Sequence, residues 1–261
     1  PGNRQGLNPS EITIATLLKK EGYATQHIGK WHCGDQPEFL PTRHGFDSYY
    51  GIPYSNDMGI QKGRTPGRFP PLPLMRDETV IQEQPSQTSL TERYMEESVR
   101  FIRENRSKPF FLYLAHMYVH LPIFAPARFL HQARNGPYGA AVECVDWATG
   151  VLFDELKQLG LDQDTLVIFT SDNGSRADGK GGSNAPLRGR KGTTFEGGLR
   201  VPCIMRWPAS IPAGQVSHEI VTSMDFLPTF ARMAETREPQ DRIIDGKDIR
   251  PLMFGEKGAR S

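Results

Sequence analysis

Cysteine is scarce in this chain: Cys33, Cys144 and Cys203 are the three in 261 residues, widely spaced and without a C-x-x-C pair. A closed disulfide framework is excluded, no Cys/His spacing suggests a zinc site, and cysteine usage leaves the redox compartment open. Long hydrophobic runs are missing as well; nothing approaches the roughly 18 apolar residues that mark a membrane-crossing helix. An excess of one charge is also lacking, because 31 Lys+Arg face 30 Asp+Glu for a net +1. That balance gives no global electrostatic case for nucleic acid or an anionic membrane as partner. Any anion site must be local. No internal repeat, low-complexity tract or signal peptide is visible. The chain opens at Pro1 in a polar Gly/Asn/Arg stretch, which leads us to expect a processed or truncated product. What is present is 37% apolar and 10% aromatic content, enough for a globular core and too much for disorder.

Hydrophobic spacing predicts the elements. Ser10 precedes Ile14, Leu17 and Leu18 at helical intervals and Gly22 breaks the pattern, so residues 10–21 read as a helix capped by Ser10. Tyr23 to Ile28 reads as a short strand. Five prolines among polar residues make 60–90 a long surface insertion. A helix is expected from about Thr91 to Asn105, then a buried strand from Phe110 to Ala115. Val142, Val145, Leu152, Leu156 and Leu159 form the expected core stripe of a long helix stopped by Gly160. Leu166–Thr170 and Val201–Arg206 are further strands, and a last helix starting near Asp225 should bury Phe226, Phe230 and Met233. Strands alternating with helices predict an α/β layered fold around a largely parallel sheet. Ligands then gather beyond the carboxyl ends of the strands.

Those ends carry chemistry. Gly29-Lys30-Trp31-His32 follows the first strand; His116 and His120-Leu121-Pro122 follow the second; Ser171-Asp172-Asn173-Gly174 follows the third; Lys191 lies in a Gly-rich stretch. Each has a plainer reading. Lys30 could cover Trp31 with its stem, His32 and His120 could be structural, Asp172-Asn173-Gly174 could be a turn, and Lys191 a solvated loop residue. Their joint placement at one edge of one sheet favours function. Asp and Asn oxygens suit Ca²⁺ or Mg²⁺. Two lysines and a metal would neutralise a tetrahedral anion, and a histidine would protonate a leaving alcohol.

The run Gly22-Tyr23-Ala24-Thr25-Gln26-His27-Ile28-Gly29-Lys30-Trp31-His32 resembles the second signature of the type I sulfatases. Ser171–Gly174 and Lys191–Gly198 are similar to that family's metal and second-lysine segments, His120-Leu121-Pro122 to its leaving-group loop, and Gly51-Ile52-Pro53-Tyr54-Ser55 to a substrate-side segment. The resemblance implies an alkaline-phosphatase-like α/β fold and calcium-dependent hydrolysis of sulfate esters, with Mg²⁺ as the alternative ion. It implies that Asp172 and Asn173 bind the metal and that Lys30 and Lys191 hold sulfate oxygens. His32 would orient a formylglycine hydrate, His120 would protonate the departing alcohol, and Ser55 would touch the sulfate side.

The chain also departs from the family pattern. None of its cysteines begins the C/S-x-P/A-x-R segment from which formylglycine is made, and Ser210-Ile211-Pro212-Ala213-Gly214 has glycine where arginine is required. The family's two upstream aspartates have no counterpart before Lys30. The expectation is therefore an internal fragment: 1–235 as an incomplete catalytic domain, 236–261 as the start of a link to a C-terminal subdomain, and formylglycine upstream. Such a piece should be inactive alone. A sulfated small molecule or glycan is the expected substrate, a homo-oligomer is compatible, and an extracytoplasmic location follows from family resemblance. A phosphatase or phosphonate hydrolase of the same superfamily, and a glycan-binding pseudoenzyme, are the competing readings.

Overall fold

The computed structural model describes residues 1–260 other than Arg64 and Lys180. Its main sheet has five strands in the order β4-β3-β2-β1-β5. These are β1 (Ala24–Lys30), β2 (Ser48–Ile52), β3 (Pro73–Arg76), β4 (Thr79–Glu83) and β5 (Phe110–Ala115). β1 pairs in parallel with both β2 and β5, whereas β3 and β4 add an antiparallel hairpin beyond β2. The sheet is thus mixed, with its parallel pairings around β1. A separate antiparallel pair is formed by β6 (Val167–Thr170) and β7 (Cys203–Arg206).

Alternation along the strands sorts the core into two faces. Ile28, Tyr50, Ile52, Leu112 and Leu114 meet α2 (Leu90–Glu104) and α4 (Gly136–Gln158), which contribute Tyr94, Met95, Ala141 and Ala148. Phe111 faces the other way, towards α1 (Ile14–Lys20) and α6 (Phe226–Met233), which meet through Leu17, Leu18 and Ala231. Two buried carboxylates lace the first face together. Glu97 on α2 accepts both Nη groups of Arg76 on β3, and Glu155 on α4 accepts Nε and Nη2 of Arg103 at 2.7 Å each. The short helices α3 (Ala127–Gln132), α5 (Glu196–Leu199) and α7 (Arg250–Met253) complete the described elements that matter below.

Several local expectations change. The first helix is capped by Thr13, whose Oγ1 accepts from the Thr16 N–H at 3.0 Å and donates to the His44 carbonyl at 2.7 Å. Ser10 instead bonds to Asn8 in the loop ahead. The proline-rich stretch contains the β3–β4 hairpin, and Leu72 and Leu74 are wholly buried; prolines flank or begin the strand, where no ladder donor is lost. On α4 the buried face is Ala140, Ala141, Cys144, Ala148 and Leu156, while Val142 is exposed. Small residues let α4 lie close to α2 and α3, and the aliphatic stripe coincides with that face only in part, through Leu152 and Leu156. On α6 the fully buried residues are Pro228, Thr229 and Ala231; Phe226 and Phe230 stack on each other at 5.6 Å and are only partly covered. Phe110–Ala115 is an edge strand among the described residues, and Tyr113 is half-exposed. Tyr49 and Tyr50 are both core residues.

Candidate active site

Three parallel strands point their carboxyl ends the same way, so the segments after β1, β2 and β5 emerge at one edge of the main sheet. Lys30 ends β1. The ladder continues past it through the Trp31 and His32 N–H groups, which donate to the Ile52 and Pro53 carbonyls at 3.0 Å each. Trp31 is pinned independently: Nε1 donates to the Phe39 carbonyl at 2.7 Å, and the ring packs on His27 and His44. His32 adopts φ 60°, the left-handed region that a bulky side chain rarely occupies. Gly29, at φ 110°, is required by contact as well, because a Cβ there would lie 2.0 Å from the Ala115 carbonyl oxygen on β5.

After β2, Ser55 is buried with its hydroxyl unpartnered, and Asn56 is wholly buried. Asn56 Nδ2 donates to Gln87 Oε1 at 3.0 Å and to the Pro122 carbonyl at 3.1 Å. Tyr118 Oη donates to the Gln87 carbonyl at 2.8 Å. This network joins the β2 loop to the loop that carries His120. The His120 Nδ1 lies 2.7 Å from the Leu121 carbonyl, which can only accept, so Nδ1 bears the proton and Nε2 is left for chemistry.

Asp172 and Asn173 follow β6, which does not belong to the main sheet, contrary to the single-sheet expectation. Backbone pairing brings the Lys191 segment to them. The Gly174 N–H donates to the Gly198 carbonyl, and the Lys191 N–H to the Ser175 carbonyl, both at 3.0 Å. A Cβ at Gly174 would meet the Gly197 carbonyl oxygen at 2.0 Å, so glycine allows the two turns to touch. Asn184 clamps the same loops, accepting from the Ser175 N–H and donating to the Ser175 carbonyl at 2.8 Å each.

These separate segments act on one another electrically. Burial lowers the Lys30 pKa, Asp172 opposes that shift, and Lys191 reinforces it. Burial lowers the His32 pKa, with Lys30 and His120 adding to the effect. His120 is lowered by burial, partly restored by its bond to the Leu121 carbonyl, and lowered further by Lys191 and Lys30. Lys30, His32, His120, Lys191 and Asp172 therefore form one charged cluster, and Asn173 is next to Asp172 in sequence. His27 and His116 stand apart from it. His27 is enclosed by Trp31, Phe46, Tyr49 and Tyr113, and burial takes its pKa to about 3; burial likewise takes His116 to about 4.

Asp57 is a member of the cluster that the sequence reading missed: its charge bears on Lys30, His32 and His120. Its signal was its place, two residues after Ser55 at a strand's carboxyl end. Tyr113, which senses Asp172 and Cys33, was missed too. The donors Asp172 and Asn173 are hard oxygens that fit Ca²⁺ or Mg²⁺ in kind. Among the described residues no group of three His, Cys, Asp or Glu gathers to form a complete shell. The two side chains would hold one side of such an ion, with other oxygens completing its coordination.

The comparisons with known proteins show the family. N-acetylgalactosamine-6-sulfatase of Rattus norvegicus is 40% identical over 263 residues, covering 95% of this chain and 49% of that protein. Steryl-sulfatase of Mus musculus is 36% identical over 324 residues, covering 96% of this chain and 52% of that protein. The chain thus spans about half the length of these curated relatives. The crystal structure of the PsFucS1 sulfatase from Pseudoalteromonas sp. superposes with a TM-score of 0.89 at 30% identity, covering 99% of this chain and 58% of that one. Residues 2–236 match the sulfatase family. With most of its length matched and its charged cluster built from the segments that carry the resemblance, the chain belongs to the sulfatase family.

Proposed function

We propose that the protein containing this chain hydrolyses sulfate esters, releasing sulfate and an alcohol. The observation that carries the reading is the meeting of Lys30, His32, His120, Lys191 and Asp172 from segments far apart in sequence. Lys30 and Lys191 bind the non-bridging sulfate oxygens. Their two ammonium groups repel each other in the free site, so an anion between them relieves a cost while gaining charge-assisted hydrogen bonds. His120 delivers a proton from Nε2 to the bridging oxygen as the ester bond breaks, and the Leu121 carbonyl keeps the ring in the tautomer and orientation that this needs. His32 orients the attacking group and assists sulfate release. Ser55 lies on the substrate side; its unpartnered hydroxyl is the kind of orphan that a ligand or water satisfies.

Asp172 and Asn173 would hold a divalent cation, Ca²⁺ or alternatively Mg²⁺, which would supply positive charge to stabilise the sulfate oxygens. The nucleophile is a formylglycine hydrate, for which none of the three cysteines here has the sequence context. Substrates are sulfated glycans or aryl sulfates, and the setting is extracytoplasmic. No described helix is long and apolar enough to cross a membrane.

Steady-state turnover of p-nitrophenyl sulfate and p-nitrophenyl phosphate by the full-length protein tests this directly. Sulfate turnover that falls at least a hundredfold in Lys191→Ala and His120→Ala supports the proposal. A preference for the phosphate would make the protein a phosphohydrolase, and binding of sulfated glycan without turnover would make it a lectin-like relative.

A further inference from the structure

A cavity of about 840 Å³ opens beside His120, within the range of roughly 300–1,000 Å³ typical of organic-ligand sites. Its wall includes His120, Asp57, Lys62, Arg134, Tyr138 and Arg176. His120 and Asp57 belong both to this wall and to the charged cluster, whereas Lys30 and Lys191 do not line the cavity, so it adjoins the lysine site through His120. His120 is the group that would meet the bridging oxygen, which makes this the space into which the alcohol part of an ester extends.

That space is unevenly charged. Arg176 is paired with Asp178 at 3.0 Å, and Asp57 contributes one carboxylate to the wall. Lys62 and Arg134 have no ion-pair partner among the described residues. The amino end of α4, residues Asn135 to Tyr138, also faces the cavity; its first turn holds no acidic residue and Asn135 makes no side-chain cap. Free N–H groups there add partial positive charge to that of Arg134 immediately before them. A neutral sugar would need none of this, whereas a guanidinium matches the planar or tetrahedral oxygens of carboxylate and sulfate.

We propose that this cavity is a subsite for the alcohol side of the substrate, where Arg134, assisted by Lys62, holds a second anionic group of a polyanionic glycan. The inference rests on the sulfate-ester reading and narrows its substrate class. The second group is a sulfate or a carboxylate, and both act through the same charge-assisted hydrogen bonds.

The test compares the full-length protein with Arg134→Gln and Arg134→Lys on four probes. These are p-nitrophenyl sulfate, a neutral monosulfated disaccharide, its disulfated counterpart, and a monosulfated disaccharide containing a uronate. Arg134 is exposed, so both variants should fold. Expected for Arg134→Gln is a drop of about tenfold in kcat/KM, carried mainly by KM, on the disulfated or the uronate probe. The first two probes should change by less than about twofold, and Arg134→Lys should recover part of the loss. Loss confined to one dianionic probe identifies the second group as sulfate or carboxylate.

Equal effects on all four probes, or none on either dianionic one, would overturn the subsite while leaving sulfate hydrolysis intact. Calorimetric binding of the disulfated disaccharide separates the remaining case. Arg134-dependent binding without any turnover would uphold the subsite and remove the hydrolytic reading, and Arg134-independent binding would overturn the subsite.

Discussion

At the scale of single residues, the same burial that builds the site sets its charge states. Burial and the two lysines hold the His120 pKa below the ordinary 6.5, yet the proposed acid works only when protonated. The kcat/KM for an aryl sulfate should therefore decline as pH rises through a value under 6.5, giving an acidic optimum. Replacing Lys191 with Met removes a like charge, so the descending limb should move to higher pH even as the rate falls; pH profiles of both proteins measure this. His27 shows the other use of a buried imidazole. Its pKa is about 3 in the folded chain against 6.5 for the free group, so the unfolded state binds more protons between those values. Stability should then fall as pH drops below about 6.5, by up to about 1.4 kcal/mol per unit for this group, and level off near pH 3. In urea unfolding at pH 7 and pH 5, His27→Leu should lose a large part of that dependence. No loss of slope would mean that His27 takes up a proton in the folded state.

At the scale of elements, caps and clamps decide where the motifs sit. Thr13 serves α1 and, through the His44 carbonyl, ties it to the loop before β2. Thr13→Ala should cost about 1 kcal/mol and Ser10→Ala almost nothing, as chemical unfolding midpoints can tell. Equal costs would return the cap to Ser10. The reading from periodicity placed the helix correctly but not its first turn, because Ser and Thr are both good caps and only the backbone shows which one leads. On α4 the aliphatic stripe was right for Leu152 and Leu156 and wrong for Val142: periodicity finds residues that share a face, while close packing against α2 and α3 centres the buried face on Ala140, Ala141, Cys144 and Ala148. The hairpin β3–β4 was hidden by its prolines, which sit where no ladder donor is needed.

At the scale of the whole molecule, residues after the family match still belong to the packed body. Ile249 is 1% exposed, and its N–H donates to Thr229 Oγ1 on α6 at 3.0 Å. Asp225 accepts from the Lys247 N–H at 2.8 Å beside it. Ile249→Ala should therefore lower global stability by about 3 kcal/mol within a single transition, whereas a separate early transition would mark 236–261 as an independent unit. The sequence by itself determined the chemistry on offer: Gly29–His32, His120–Pro122, Ser171–Gly174 and Lys191–Gly198 are contiguous, and a contiguous motif carries its own spacing. The α/β class was legible for the same reason, since alternation and helical spacing are local. Only the tertiary structure decided that Asp57 joins the cluster, that Asn56 and Gln87 brace the His120 loop, and that the charge of Asp172, which follows a strand of the second sheet, bears on Lys30. It also decided that Arg134 and His120 line one cavity. Those relations depend on which loops meet in space, and charge acts over distances between atoms, which the order of residues along the chain does not specify.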